Sequence, residues 1–556
     1  MKCIQMFRGA GAALPRWESD VTTPGLRGFV LEALPGDEKD LLSAVLAVLG
    51  QSFTVAADTD ARGSGVRRRT WLDTFDWRLY RAGLMLQFEQ ARRGGRLLLS
   101  KTDGTPQAEQ DVTSWPRRPP LDLPEGPVRD RIVVLIRPRA LLPIVRSVST
   151  ASVTRLLNAD GKTVARLIAD HVTVTAPSHA ATTAELAPRL AVTGVRGYPG
   201  PARKASALLA GVPGVAHASQ DVFIAALTAL GRHPADYSSS VTTEITAEMP
   251  APVAAARLLL RLLDTLESNV DGVLRDIDTE FLHDLRVAVR RTRSAVKLLG
   301  AVLPEELAAH YKVEFKWLGD VTTPVRDLDV HLLGFDAMAG QLEAASPADL
   351  EPLRAFLARR RAREVRRLSA ALRGPRFRAI ADDWRKALLE IRDSGGSRRR
   401  RPTAEALALS TTGRAFRRIA AQGGAITPES PPESLHDLRK RAKELRYLLE
   451  FFAPLHDPVA YRKVVGDLKQ LQDCLGAFQD SEVQRDEIRT LADAMLADST
   501  LANRAALAAT LLAMGEIAAE LTRSQAEARD EFAARFARFA GPAGRERVRV
   551  LLEGRP

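Results

Sequence analysis

Two stretches of this chain, 153 residues apart, open alike: FLHDLRVAVRRTRSAVKLL from Phe281 to Leu299, and SLHDLRKRAKELRYLLEFF from Ser434 to Phe452. In the first, Leu282, Leu285, Val289, Thr292, Val296 and Leu299 recur at three- and four-residue steps, the spacing of one apolar helix face. His283, Arg286, Arg290, Arg293 and Lys297 follow the same steps one residue on. A polar stripe therefore borders the apolar one, about 100° around the helix. The second copy sets Leu435, Leu438, Ala442, Leu445, Leu449 and Phe452 beside His436, Arg439, Lys443 and Arg446, with Glu450 where the first has Lys297. The same offset carries Arg261 to Arg414, Glu280 to Glu433, Lys316 to Lys469, Asp327 to Asp480 and Asp329 to Glu482. Such a constant offset marks a duplication. It predicts two similar antiparallel multi-helix units related by a pseudo-twofold axis.

The texture around the repeat agrees. Beyond Thr242 the chain is rich in Ala, Leu, Arg and Glu with a 3.6-residue period, broken at Pro304, SPADLEP, GGSRRRRP and ITPESPPES. Upstream, β-prone runs are separated by RRGG and TDG, and ASVTRLLNADGKTVARLIADHVTVTA predicts two strands around an Asn-Ala-Asp-Gly turn. The expected organisation is α+β: a poorly ordered leader over 1–24, a β-rich domain over 25–205, a linker over 206–241 and a helical domain over 242–540. At 556 residues the chain has room for two or three cores. Cys3 and Cys474 are too few for a disulfide framework or a structural zinc site. No run of 18 uninterrupted apolar residues occurs, so the expectation is a cytoplasmic protein with no membrane association.

The formal charge is +12, and the stretch from Glu351 to Arg401 holds 17 Lys or Arg against 6 Asp or Glu, nearly the whole excess. Aromatic residues make up 5% of the chain, which argues against base-stacking on single-stranded nucleic acid. An arginine-rich helix is most often a solvated face with carboxylates at i,i+4. Here the stripe is nearly pure cation and occurs twice, so something must neutralise it, either carboxylates from another helix or an anionic ligand. Guanidinium forks and lysines on two facing helices suit a chain of phosphates. Inorganic polyphosphate fits and needs no aromatic platform; nucleic acid is the competitor. The adjacent His283-Asp284 and His436-Asp437 raise the idea of a metal site, but dense arginine opposes a divalent cation. We expect no metal and no cofactor. The histidines are expected to donate hydrogen bonds to phosphate.

LHDLRVAVRRTRSAVKLL with FKWLGDVTTPVRDLDVHLL, then LHDLRKRAKELRYLLEFF with LKQLQDCLGAFQDSEV, resemble the two halves of a CHAD domain, the conserved-histidine α-helical domain. The resemblance implies two pseudo-symmetric four-helix bundles whose basic central surface binds inorganic polyphosphate, in a family whose members often associate with polyphosphate granules. Repeat and resemblance together nominate His283, Arg286, Arg290, Arg293, Lys297, Lys316, Arg261, His436, Arg439, Lys443, Arg446, Lys469 and Arg414 as polyphosphate-binding residues. Further upstream, WLDTFDWRLYRAGLMLQFE through LLLSKTD is similar to the core of a CYTH domain, which implies an antiparallel barrel-like tunnel for triphosphate. The match departs from that family at its charged positions. Gln87 and Glu89 stand where arginines belong, only Lys101 remains, and Glu32 lacks the Glu-x-Glu-x-Lys that would hold a metal. Lys101, Arg155 and Arg166 leave room for weak anion binding. DGKT at Asp160 lacks the spacing of a phosphate loop. A noncatalytic polyphosphate binder is the leading expectation, with a metal-dependent triphosphatase and a nucleic-acid binder as alternatives.

Overall fold

The computed structural model describes residues 28–31, 38–58, 65–91, 93–113, 123–177, 182–241, 243–393, 402–498 and 503–553. The leader over 1–24, Cys3, Glu32 and Arg398–Arg401 lie outside them. The chain divides into two compact units, Met1–Ser238 and Ser239–Pro556.

The first unit is built on one antiparallel sheet of eleven strands: β1 (Phe29–Leu31), β2 (Thr54–Ala57), β3 (Gly65–Asp73), β4 (Leu84–Gln90), β5 (Gly95–Lys101), β6 (Pro106–Val112), β7 (Leu142–Leu157), β8 (Thr163–Thr175), β9 (Thr183–Glu185), β10 (Arg189–Gly194) and β11 (Val215–His217). The strand order β11-β1-β10-β8-β7-β3-β4-β5-β6, with β2 on β7 and β9 on β8, is consistent with a tunnel fold. The expected hairpin joins β7 to β8. Asn158 accepts from the backbone N–H of Asp160 and Lys162, and Gly161 takes the positive φ that the turn requires. One face of the sheet carries Leu86, Phe88, Leu97 and Leu99 against the helix Pro127–Ile136. Gln87 pairs directly with Leu98, and Glu89 with Arg96, on the opposite face. Lys101 pairs with Leu84 and so shares the Leu97 and Leu99 face, which separates it from Gln87 and Glu89. On the Gln87 face, Trp71, Val145, Val172 and Val174 pack on Phe223, Ala226 and Leu227 of the helix Val222–Ala229. Farther along that face Ala151, Val153 and Ile168 form a small apolar cluster with Ala191.

Of the stretch 206–241, expected as a linker, residues 206–238 belong to this unit. Strand β11 pairs with β1, Phe223 and Tyr237 are buried in the core, and Asp236 accepts from the Trp77 indole at 2.9 Å. The Gly and Pro punctuation reads as a linker because the apolar runs between are short.

The second unit is all helical: α1 (Ala251–Leu274), α2 (Thr279–Leu299), α3 (Glu305–Leu333), α4 (Glu351–Arg373), α5 (Pro375–Asp393), α6 (Ala404–Gly424), α7 (Pro432–Phe451), α8 (Pro458–Leu496), α9 (Arg504–Ala540) and α10 (Pro542–Leu552). The starts of α1, α2, α3 and α4 recur 153 residues later as the starts of α6, α7, α8 and α9. The duplication thus reaches the helix boundaries. In the first copy Gly374-Pro375 divides the fourth helix into α4 and α5; in the second α9 runs unbroken to Ala540. Both apolar stripes are buried, with Leu285, Leu299, Leu438 and Leu449 at 0% exposure. Leu435, Leu438, Leu445 and Leu449 pack on Leu468, Leu471, Leu475 and Phe478 of α8 and on Phe532 and Phe539 of α9. Val548 and Leu551 of α10 complete that core, so the unit runs past the expected boundary at 540. By length and composition α9 could cross a bilayer, but here Leu507, Met514 and Ile517 join a core cluster with Phe356 and Leu357 of α4.

Candidate anion-binding site

Helix α2 starts where Asp278 accepts from the N–H of Glu280 and Phe281, and α8 where Asp457 accepts from Val459 and Ala460. These caps and the buried stripes fix which face each helix turns to its neighbours. Helices α2 and α7 meet through two ion pairs, Arg291 with Glu450 at 2.8 Å and Lys297 with Glu444. The 153 offset makes Arg291 equivalent to Glu444 and Lys297 equivalent to Glu450. Each pair is therefore the pseudo-twofold image of the other, as in an isologous dimer, with cations on the first copy and carboxylates on the second. Glu450, which stood out as an exception in the basic stripe, is one of these joining groups. Arg291 and Glu444 were missed because they lie off the stripe; their opposite charges at equivalent positions were the available signal.

Beside this junction lies a cleft of about 420 Å³ lined by Arg290 and Arg291 of α2, Arg439, Lys443, Arg446 and Glu450 of α7, and Gln472, Asp473 and Asp480 of α8. Arg290 and Lys443 are themselves equivalent by the offset, so the axis brings two cations together. Burial, with Arg439 and Arg290 as like-charged neighbours, pushes the Lys443 ammonium down to about 8, and Asp480 opposes this. Arg439 is held by Asp480 at 2.8 Å, and Arg446 by Glu450 at 2.8 Å and Gln472 at 3.2 Å. Gln472 in turn donates to the Ala442 carbonyl at 2.8 Å. These contacts orient two guanidinium groups while Arg290, exposed on α2, and Lys443 have no carboxylate within ion-pair distance among the described residues. The arrangement can coordinate the oxygens of an extended polyanion.

The structure sorts the other nominated residues differently. Arg286 turns its Nη1 onto α3, donating to Gly319 O at 3.3 Å, Thr322 Oγ1 at 3.0 Å and Thr323 Oγ1 at 2.8 Å, and burial lowers its pKa. It ties α2 to α3. Arg293 is exposed and passes beside Gly319. His283 and Arg261 are half-buried on α2 and α1, and His436 sets its Nδ1 against the Gln479 amide oxygen. Lys316 pairs with Asp320 at 2.7 Å, one turn on and in solvent, and Lys469 is exposed on α8. Asp437 of the second His-Asp pair holds Lys440 at 3.2 Å. Lys297 and Arg414 line a separate pocket with Arg418, Lys440 and Arg441.

The basic stretch on α4 and α5 is largely engaged elsewhere. Arg361 bridges Asp276 and Asp329, Arg376 holds Glu314, and Arg385 holds Asp264 and Glu267. Arg359 pairs with Asp498 at 3.6 Å, while Arg363, Arg366 and Arg373 remain exposed along one line of α4.

Residues 257–489 match the family model of the CHAD domain, and this part of the chain is a CHAD domain. The match begins beyond the N-terminal sheet. Among solved structures, the chain is similar to the CHAD domain from the plant Ricinus communis, with a TM-score of 0.45 and 24% identity over 54% of this chain and 96% of that chain. It is also similar to PptA from Streptomyces chartreusis, with a TM-score of 0.39 and 17% identity over 52% of this chain and 99% of that one. No curated protein matches.

Proposed function

We propose that this protein is a noncatalytic binder of inorganic polyphosphate and that the chain of phosphates lies in the cleft between α2 and α7. The observation that carries this reading is the meeting of Arg290 and Lys443, two equivalent cations lining one cleft, where burial, then Arg439 and Arg290, depress the Lys443 ammonium. Like charges held together in a folded protein cost free energy, and a bound polyanion reverses that cost. The resemblance to CHAD domains points to the same ligand and to an association with polyphosphate granules in the cytoplasm. A fluorescent fusion that stays diffuse in granule-containing cells would count against that location.

We read the N-terminal unit as a CYTH-like tunnel fold without its catalytic charges. Gln87 and Glu89 occupy a face where Trp71, Val145 and Val172 are covered by an apolar helix, and where Arg155 and Arg166 share Asp58 at 3.9 and 3.8 Å. Arg67 and Arg69 share that face, but Arg69 sits opposite Glu89 in register, so carboxylates offset the cations that a triphosphate would need. Incubation with tripolyphosphate and magnesium or manganese should release no phosphate, and metal-dependent turnover would establish the triphosphatase reading instead. The exposed line of Arg363, Arg366 and Arg373 favours duplex nucleic acid as a second reading, since a cationic helix suits a groove. Competition decides: DNA that displaces polyphosphate at equal phosphate concentration and salt would favour it.

A further inference from the structure

The pocket that takes Lys297 and Arg414 lies across α7 from the cleft. Positions 439, 443 and 446 point one way from α7, whereas 437, 440, 441 and 444 lie roughly 100–200° around it. The pocket encloses about 350 Å³ over a partly apolar floor that includes Leu298 and Leu448. Five cations, Lys297, Arg414, Arg418, Lys440 and Arg441, face two carboxylates. Both carboxylates are already engaged, Glu444 by Lys297 and Asp437 by Lys440. Arg414, Arg418 and Arg441 are exposed and have no carboxylate within ion-pair distance among the described residues.

The duplication shows that these charges are not part of the shared scaffold. The offset relates Arg418 to Thr265, Lys440 to Val287 and Arg441 to Ala288. Thr265 and Ala288 are buried, at 4% and 1% exposure. The first copy thus folds the same helices with none of these three cations, and the second carries them all in one concavity.

We propose that this pocket is a second anion site, separate from the cleft, that takes a compact condensed phosphate: a pyrophosphate or triphosphate group, free or at the end of a nucleotide. The surplus of three positive charges suits a small multiply charged anion, and arginines from α6 and α7 reach it from two sides. Guanidinium over a partly apolar floor binds phosphate oxygens more strongly than in open water. The site does not depend on the polyphosphate reading of the cleft.

Calorimetric titration of the full-length protein with pyrophosphate, tripolyphosphate and ATP tests it. At least one of them should bind at one site. The exposed-residue variant Arg418→Ala/Arg441→Ala should weaken that binding about a hundredfold, while Arg290→Ala/Lys443→Ala leaves it within about twofold. Binding of ATP as tight as tripolyphosphate assigns a nucleotide's phosphate tail; tripolyphosphate alone assigns the free anion. No binding by any of the three, retained affinity in Arg418→Ala/Arg441→Ala, or an equal loss in the cleft variant overturns the proposal.

Discussion

Lys443 holds its charge where burial and two arginines oppose it, and this has opposite consequences for stability and binding. The folded ammonium titrates at about 8, against 10.5 for the unperturbed side chain. Between those pH values the unfolded chain holds the extra proton, so stability rises with pH across the window; below pH 8 the destabilisation is fully present. Lys443→Met should therefore melt higher than the wild type at pH 7, with the difference fading as pH approaches 10.5, while binding polyphosphate more weakly. Wild-type affinity should fall as pH rises from 7 to 9, and Lys443→Met should flatten that fall. Equal pH profiles would remove Lys443 from the site. Arg286 presents the reverse case. Its stripe position suggested a ligand contact, but its hydrogen bonds run to α3, so Arg286→Ala should lower stability by about 1–3 kcal/mol through the unpaired groups it leaves. Chemical denaturation measures this. A periodicity states which side of a helix a residue occupies; it does not state what the neighbouring helix presents there.

Helices α2 and α7 were legible as a pair because both the apolar stripes and the offset are written in the residues themselves. How they join was not, since Arg291 and Glu444 acquire meaning only when the axis sets each beside the other copy's partner. The split in sign predicts a charge-reversal result. Arg291→Glu places two carboxylates at a half-buried contact and should cost about 2 kcal/mol or more, and adding Glu450→Arg should recover only part of it, because Arg446 then loses its carboxylate. A double variant no more stable than Arg291→Glu would show that the pair does not hold the halves together. On the sheet, register decided what sequence could not. Gln87 and Lys101 are both odd-numbered, yet pairing with Leu98 and Leu84 sends them to opposite faces. A motif read along the chain had placed them in one tunnel.

At the scale of the whole molecule, the α+β division, the helical duplication and the CHAD domain were readable, because composition changes at the boundary and the 153-residue offset persists through four helix starts. The stretch 206–241 was misread because its short strand and helix gain their stability from the sheet and core they join, not from any local pattern. The arginine excess over 351–401 pointed to a ligand surface, but much of it neutralises carboxylates such as Asp276, Asp329, Glu314 and Glu267. Total charge was a poor guide; the cations left without partners at the pseudo-twofold are the better one. The most direct test is calorimetric titration of long-chain polyphosphate into the full-length wild type and into Arg290→Ala/Lys443→Ala, with circular dichroism to confirm equal helicity. Tight binding by the wild type, weakened by about a hundredfold or more in the variant, is the predicted result. Undiminished affinity in the folded variant, or no binding by the wild type, would contradict it.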